Sequence, residues 1–154
     1  MSETSAADVA LLSKRRPPLL LGPDMPVSDG DSDDVVLLVE GSAAANVLTS
    51  LGPHPFGTFR APFFLTLHGA LTGASGLCRF DPEAGSKILL FSGAEARQHL
   101  FDPSPAGGAF RRLALASVTT ALREVNATLA RFFDDVVPDP SWKPRPCRCS
   151  WPAA

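Results

Sequence analysis

The feature of this chain that most constrains its fold is an apolar stripe near the C-terminus. Its members recur at alternating spacings of three and four residues: Leu115, Val118, Leu122, Val125, Leu129, Phe132 and Val136. Such spacing places the side chains on one face of a helix for about three heptads. We predict this helix over residues 109–135, because Pro138 and Pro140 follow it and proline cannot continue the helical hydrogen bonds.

A small sheet has limited area to cover a helix of this length, which leaves two alternatives for the apolar stripe. Either the stripe is buried within the protein's own core, or part of it pairs with a protein partner subunit, of which a homodimer is one form. Under the second alternative the protein-interface residues are Leu115, Val118, Leu122, Val125, Leu129 and Phe132. We therefore rank first a non-catalytic assembly or dimerisation subunit of an intracellular multiprotein complex.

Length and composition favour one compact domain with extensions at both termini. Of the 154 residues, 45% are hydrophobic and 19% are charged, which suits a single core. The formal net charge of −2 excludes a uniformly basic surface for nucleic acid, although local basic patches stay open. We predict a flexible, acidic and Pro-rich N-terminal arm over residues 1–33, a single domain over 34–137 and a Pro-rich basic tail over 138–154.

Local patterns predict the elements of that domain. The β-branched run over residues 35–39 indicates a central strand. Ser42 has the position of an N-cap for a short helix, which Gly52 and Pro53 end. The Phe- and Leu-rich segment 58–68 indicates a second strand.

The following segments complete an α+β fold. The apolar runs 77–80 and 87–91 predict a hairpin, and residues 94–100 predict one or two helical turns. We expect a small, mostly antiparallel sheet of three to four strands. The short helix and the long C-terminal amphipathic helix cover it.

The sequence contains no motif of an enzyme site. It lacks a phosphate-binding P-loop and a dinucleotide-binding glycine motif. A calcium loop over residues 29–40 is disfavoured, because Asp34 stands where the sharp turn needs glycine. His54, His68 and His99 are scattered, without a second ligand at helical spacing. We predict no catalytic residues, no metal site and no cofactor, and nothing positive supports an enzyme site in the loop 69–76.

Cysteine usage and the N-terminus favour an intracellular protein. The odd number of cysteines, which are Cys78, Cys147 and Cys149, does not suggest a secreted disulfide framework. The first residues lack the basic start and apolar run of a secretory signal, and no apolar stretch is long enough to span a bilayer. We expect a cytoplasmic or nuclear location and no membrane contact.

An alternative function is a small nucleic-acid-binding module. Arginines fall off the apolar stripe of the long helix, and basic residues accompany Trp142 and Trp151 in the tail. Basic side chains neutralise phosphates while aromatic rings stack on unpaired bases. The candidate contacts are Arg111, Arg112, Arg123, Arg131, Lys143, Arg145 and Arg148.

Several stretches resemble one known family. Residues 40–53 are similar to its Ala-rich first helix, which follows a strand and ends in a Leu-Ser-Pro-type turn. Residues 85–91 and 94–97 are similar to its last strand and the start of its final helix, and residues 112–125 are similar to that helix. The family is the small dimerising subunit of the KEOPS tRNA-modifying complex, which includes the CTAG/LAGE antigens.

The resemblance implies a specific function. Such subunits are not catalysts, and they pair through their long helices and sheet. A helical face holds the ATPase-like catalytic subunit that makes threonylcarbamoyl-adenosine in tRNA. The apolar stripe would be the contact surface, and the basic tail would contact tRNA weakly or indirectly.

Overall fold

The computed structural model describes residues 3–14, 16–22, 27–28, 33–72 and 78–136. Its helices are α1 (Glu3–Ser13), α2 (Leu67–Thr72), α3 (Gly93–Phe101) and α4 (Pro105–Val136). Its strands are β1 (Leu19–Leu20), β2 (Val27–Ser28), β3 (Val35–Glu40), β4 (Ser42–Thr49), β5 (Gly52–Arg60), β6 (Phe63–Phe64), β7 (Cys78–Pro82) and β8 (Lys87–Phe91).

The strands form two antiparallel sheets. The first sheet has the order β1-β8-β3-β6, and the second has the order β2-β7-β4-β5. One hydrophobic cluster joins residues of both sheets, so the sheets pack face to face. A second cluster joins the opposite face of the first sheet to α1, α3 and α4. The first sheet therefore lies between the second sheet and the helices.

Strand β3 is central to this arrangement because it is buried on both faces. Val35 and Leu37 belong to the cluster beneath the helices, whereas Val36 and Leu38 belong to the cluster between the sheets. Successive side chains of a strand point to opposite faces, so a continuous apolar run suits a strand that is covered on both sides. The central strand predicted over residues 35–39 is confirmed.

The predicted fold class is confirmed at the level of its general description. The protein is α+β, its sheets are antiparallel, and a long helix lies at the C-terminal end of the described chain. The expectation of one sheet with three to four strands is wrong, since the described residues form two sheets of four strands each. The helices cover one face of the first sheet, and α4 also contacts β5 of the second sheet.

The predicted short helix from Ser42 is wrong, because these residues form β4. Ala43 and Ala45 alternate with more exposed neighbours and face the cluster between the sheets. This strand pairs with β5 on one side and with β7 on the other. Alanine has the highest helix propensity, but propensity amounts to less than about 1 kcal/mol per residue and strand pairing overrides it here. Gly52 and Pro53 therefore begin β5 instead of ending a helix.

The predicted hairpin over residues 77–91 is also wrong. Strand β7 pairs in the second sheet and β8 pairs in the first, so the chain crosses between the sheets at residues 83–86. Ser86 lies at this crossing, and its hydroxyl donates to the Ser42 carbonyl at 3.2 Å. Gly41 has a φ of 93°, and a Cβ there would clash with the Ser86 side chain. The segment predicted as one strand over 58–68 is divided among β5, β6 and α2.

The helical predictions in the C-terminal half are confirmed. Helix α3 covers the predicted turns, and Ser92 caps it in a capping box with Glu95. Helix α4 covers the predicted long helix and begins four residues earlier, at Pro105. A proline fits the first helical turn because the amide hydrogen it lacks would have no helical partner there.

The predicted flexible arm over residues 1–33 differs from the structure. Helix α1 lies within it, and Leu12 is buried in the cluster beneath the helices. The buried Asp8 carboxylate pairs with Arg112 of α4, with one oxygen 2.5 Å and the other 3.0 Å from guanidinium nitrogens. This bidentate pair raises the pKa of Arg112, mainly through the side-chain hydrogen bond. The division of the chain at residues 33 and 137 stays a prediction, and the tail over 138–154 lies outside the described residues.

The apolar stripe of α4 is not the face that packs on the sheet. The inward face carries Ala109, Phe110, Leu113, Ala114 and Ser117. Leu115 is 69% exposed, Leu122 is 58% exposed, and Val118 and Leu129 are each 48% exposed. The stripe and the inward face lie on different sides of α4, so the stripe forms an apolar row outside the core of the protomer.

We expect Phe110→Ala to destabilise the protein by about 3–5 kcal/mol, because it removes a fully buried ring and leaves a cavity. Phe110 is 0% exposed and packs against the rings of Phe64 and Phe91. The matched control is Phe101→Ala, since Phe101 is 85% exposed and should change stability by less than about 0.5 kcal/mol. Urea unfolding followed by circular dichroism measures both. Equal effects of the two substitutions would contradict the assignment of the core.

Candidate ligand cavity

An apolar cavity of about 390 Å³ lies between the strands and α4. Its walls come from both sheets, from α2 and from the middle of α4. The described lining residues are Ala45, Val47, Phe56, Phe59, Phe63, Phe64, Leu65, Leu67, His68, Cys78, Phe80, Ser117, Val118, Ala121 and Val125. A concave apolar site with few polar groups is the usual form of a small-molecule pocket.

Phenylalanine rings form the wall on the strand side. The ring of Phe59 stacks on that of Phe63 at a centroid distance of 4.2 Å. It also contacts the rings of Phe56 and Phe80, each at 6.2 Å. These arrangements are the offset and edge contacts that aromatic rings prefer. The small side chain of Ala45 lies between larger neighbours and leaves space that a bulkier residue would fill.

Helix α4 forms the opposite wall and is tied to the strands by one hydroxyl. The buried Ser117 Oγ accepts a hydrogen bond from the Phe64 backbone N–H at 2.9 Å and donates to the Leu113 carbonyl at 2.9 Å. Val118, Ala121 and the half-buried Val125 follow it along the helix. A ligand in the cavity would therefore contact α4 directly.

The lining carries few polar groups and no permanent charge. Among the described lining residues there is no Asp, Glu, Lys or Arg. His68 is exposed and Cys78 is half-buried, and Ser117 supplies the third polar side chain. The site can therefore bury an apolar body but offers little to a strongly charged one.

A second cavity of about 280 Å³ lies near α3 and is polar. Arg16 and Glu95 in its wall pair with each other at 2.7 Å, and the Ser92 backbone N–H and then Arg16 lower the pKa of Glu95. Hydrogen bonds from Ser104 lower the pKa of Asp102. The charged groups of this cavity thus serve mainly to hold the ends of α3.

The arginines proposed for nucleic-acid contact have different environments. Arg111 Nη1 donates to the carbonyls of His99, Leu100 and Asp102, at the end of α3. Arg112 pairs with Asp8, as described above. Arg123 and Arg131 are exposed on α4. The structure therefore does not bring these four arginines together as one free basic surface among the described residues.

The remaining predicted site residues are only partly described. Leu115, Val118, Leu122 and Leu129 are exposed and Val125 is half-buried. The side chain of Phe132 lies outside the described part, as do Lys143, Arg145, Arg148, Cys147 and Cys149. The interface role of the stripe and the nucleic-acid role of the arginines stay predictions.

Sequence reasoning missed the cavity itself. Its described lining comes from five consecutive elements, β4 to β7 with α2, and from the distant α4, so no single local spacing marks it. The density of phenylalanine between residues 56 and 80 indicates an aromatic interior, but the same density is typical of a filled core. In the described residues, no cluster of three or more His, Cys, Asp or Glu is placed to hold a metal ion. No described helix is long and apolar enough to cross a membrane.

Comparisons with known proteins give structural neighbours but no sequence relatives. No protein-family model and no curated protein matches the chain. The fold is similar to the c-di-GMP-responsive global regulator CLP of Xanthomonas campestris, with a TM-score of 0.67, 11% identity, and coverage of 92% of this chain and 76% of that one. It is also similar to a transcriptional regulator from Eubacterium rectale that is assigned to the CRP/FNR family. The TM-score is 0.61, the identity is 11%, and the match covers 85% of this chain and 61% of that one.

A third neighbour is itself an isolated domain. The haem domain of CooA from Carboxydothermus hydrogenoformans matches with a TM-score of 0.59, 8% identity, and coverage of 86% of this chain and 96% of that one. This chain therefore spans nearly all of the CooA haem domain and about three fifths of the E. rectale regulator. At these identities the likeness shows the fold alone.

The resemblance to the small KEOPS subunit is wrong, and so are the assembly and tRNA-modification roles drawn from it. The structural neighbours are consistently regulators of the CRP/FNR type. The physical reason lies in residues 40–53, where the presumed first helix is the strand β4 and its turn into β5. The similarity of the apolar patterns therefore does not extend to the fold.

We expect Ser117→Ala to cost about 1–3 kcal/mol of stability, because it leaves the buried Phe64 amide without an acceptor. The matched control is Thr119→Ala. The Thr119 hydroxyl makes the same bond to the carbonyl four residues earlier, but it is exposed and contacts no strand. Hydrogen exchange of the Phe64 amide measures the local effect. Unchanged exchange at Phe64 in Ser117→Ala would show that the hydroxyl does not hold the strand to the helix.

Proposed function

We propose that this chain is an effector-sensing domain of the cyclic-nucleotide-binding-like type found in CRP/FNR regulators. In this role it binds a small apolar molecule in the cavity and passes the binding signal to α4. The observation that carries the proposal is the apolar cavity whose wall includes α4 itself. The similarity in fold to an isolated haem domain, over 96% of that domain's length, supports it.

The chemistry of the lining argues for an apolar ligand. Cyclic dinucleotides, to which the X. campestris regulator responds, carry phosphate groups, and phosphate needs arginine, lysine or several amide donors. The described lining has no arginine or lysine, and the adjoining sequence over residues 73–77 is uncharged. Apolar walls instead stabilise an apolar ligand, because burial of apolar surface contributes about 25 cal/mol of free energy per Å².

Haem is the group named for one neighbour, and the lining fits it only in part. Imidazole and thiolate both ligate haem iron, and His68 and Cys78 line the same cavity. The propionate groups of haem need polar partners, and the described lining offers few. Haem is therefore a competing ligand, which incubation with haemin tests.

The exposed stripe supports pairing of two copies through α4. Four apolar residues of the stripe are about half exposed or more, and apolar rows at heptad spacing pair along helices. Val118 belongs both to this row and to the cavity lining. A ligand that contacts Val118 would therefore act on the pairing surface. The role is regulatory and non-enzymatic.

Contact with nucleic acid is the second candidate. Its support is that two neighbours regulate gene expression or transcription. Because Arg111 and Arg112 are held within the protein, the exposed Arg123 and Arg131 are the helix positions that this proposal uses. Binding of this kind weakens steeply with salt.

We expect the chain to bind the neutral fluorescent probe N-phenylnaphthylamine saturably. Ala121→Phe should weaken binding roughly tenfold, because filling the cavity displaces apolar contacts worth about 0.8 kcal/mol per methylene. Ala130→Phe is the matched control, since Ala130 is exposed on the same helix and outside the lining. Equal binding by the two variants would contradict the cavity. If incubation with haemin gives a Soret band, and substitution of His68 removes that band, the ligand is haem and not a small apolar molecule.

We expect the wild-type chain to be a dimer by size-exclusion chromatography with light scattering, and Leu122→Glu to be a folded monomer. Leu122 is 58% exposed, so a charge there opposes pairing but not folding. Leu51→Glu is the control, because Leu51 is 89% exposed between β4 and β5. A monomeric wild type would contradict pairing through α4.

A further inference from the structure

We infer that Asn126 sets the direction and register in which two copies of this chain pair, through a hydrogen bond between the two Asn126 amides. The contact surface is a row of five exposed residues on α4, which we call the α4 seam: Leu115, Thr119, Leu122, Asn126 and Leu129. The inference rests on the proposed pairing of two copies through α4 and names the residue that makes this pairing specific.

The α4 seam lies opposite the buried face of the helix. Successive helical residues are rotated by about 100°, which places Asn126 about 180° and Leu122 about 140° from the buried Ser117. All five residues of the seam are exposed, whereas Ser117 is 3% exposed. The seam is therefore the side of α4 that the protomer leaves free for another chain.

The α4 seam is not identical to the apolar stripe read from the sequence. Val118 and Val125 belong to the stripe, but both line the apolar cavity, and Val125 is half-buried. Each lies roughly a quarter of a turn from Ser117 around the helix. The two valines therefore flank the seam, and the leucines of the stripe remain in it.

The residue types of the seam match a two-stranded parallel pair. Its spacings alternate between four and three, which places the leucines at heptad position d, and Thr119 and Asn126 at position a. β-Branched residues at a with leucine at d favour two parallel strands. Thr119 is β-branched, and its hydroxyl donates to the Leu115 carbonyl of its own helix at 2.8 Å.

The amide of Asn126 selects the direction of the second helix. In a parallel pair in register, position a faces position a, so the two Asn126 amides meet. An amide contains both donors and an acceptor, so an identical amide is a suitable partner for it. In an antiparallel pair, position a faces position d, and each amide is buried against leucine without a partner, at a cost in stability. The same cost applies to an apolar helix of another protein, which makes a second copy the occupant that fits.

The charges beside the seam agree with the parallel direction. Arg123 is exposed and follows Leu122 at the edge of the seam. An antiparallel pair centred on the seam brings the two Arg123 side chains together, whereas a parallel pair places each beside Val118 of the other helix. Arg112 is at the preceding position a, but its guanidinium is bound by Asp8. The seam therefore begins at Leu115.

The first part of the test is cysteine cross-linking of the full chain at the two ends of the seam. Leu115→Cys and Leu129→Cys are oxidised separately and as a mixture, and mass spectrometry of peptides identifies which residues are linked. We expect each cysteine to link to the same residue of the second copy, with no link between positions 115 and 129. Arg131→Cys is the control, because Arg131 is exposed but lies away from the seam and should not link.

The second part of the test removes the amide. Asn126→Leu should lower the dissociation constant of the pair roughly tenfold, because a polar residue at position a lowers stability in exchange for specificity. It should also allow links between positions 115 and 129 in the mixture. Thr120→Leu is the matched control, since Thr120 is exposed and outside the seam, and it should change neither result. Analytical ultracentrifugation measures the dissociation constant, and circular dichroism checks that each variant is folded.

The outcomes separate this inference from the proposed pairing. Links between positions 115 and 129 in the otherwise wild-type chain would show an antiparallel pair, which overturns the inference and keeps the pairing. Links restricted to identical positions in Asn126→Leu would show that another residue sets the direction, which also overturns it. A monomeric wild-type chain overturns both the pairing and the inference.

Discussion

Burial of β3 on both faces is the constraint on which the rest of the structure depends. Val35 and Leu37 need a cover on one side, and Val36 and Leu38 need one on the other. The second sheet supplies one cover, and α1, α3 and the first half of α4 supply the other. Phe110 is fully buried at the centre of the helical cover.

The middle of α4 has a different role from its first turns. Its inward face carries small residues, Ser117 and Ala121, where the cavity begins. Its exposed stripe starts at Leu115, so one helix contributes to core, cavity and free surface within a few turns. The Ser117 hydroxyl fixes the helix to β6 beside the cavity. Ala121 of the cavity lining is followed directly by Leu122 of the exposed row, so the two surfaces share one turn of α4.

The parts of the fold that were predictable are those with a strong local pattern. The 3–4 spacing specified α4, the β-branched run specified β3, and Ser92 with Glu95 marks the start of α3. Strand β4 was not predictable, because alternation of alanine with alanine carries no hydrophobic contrast. The crossing at residues 83–86 was not predictable either, since adjacent strands pair by default and only the completed sandwich separates them.

The candidate site was harder to predict than the fold. A cavity is space that the surrounding side chains leave unfilled, and no single residue type indicates it. Phe59 has the same sequence signal whether it fills a core or lines a void, and Ala45 leaves space only because of its neighbours. The sequence does show how few charged side chains are available near the site. Residues 56–80 contain two basic side chains besides histidine, Arg60 and Arg79, and both are exposed and outside the described lining. The described lining therefore lacks the cation that a phosphate would need.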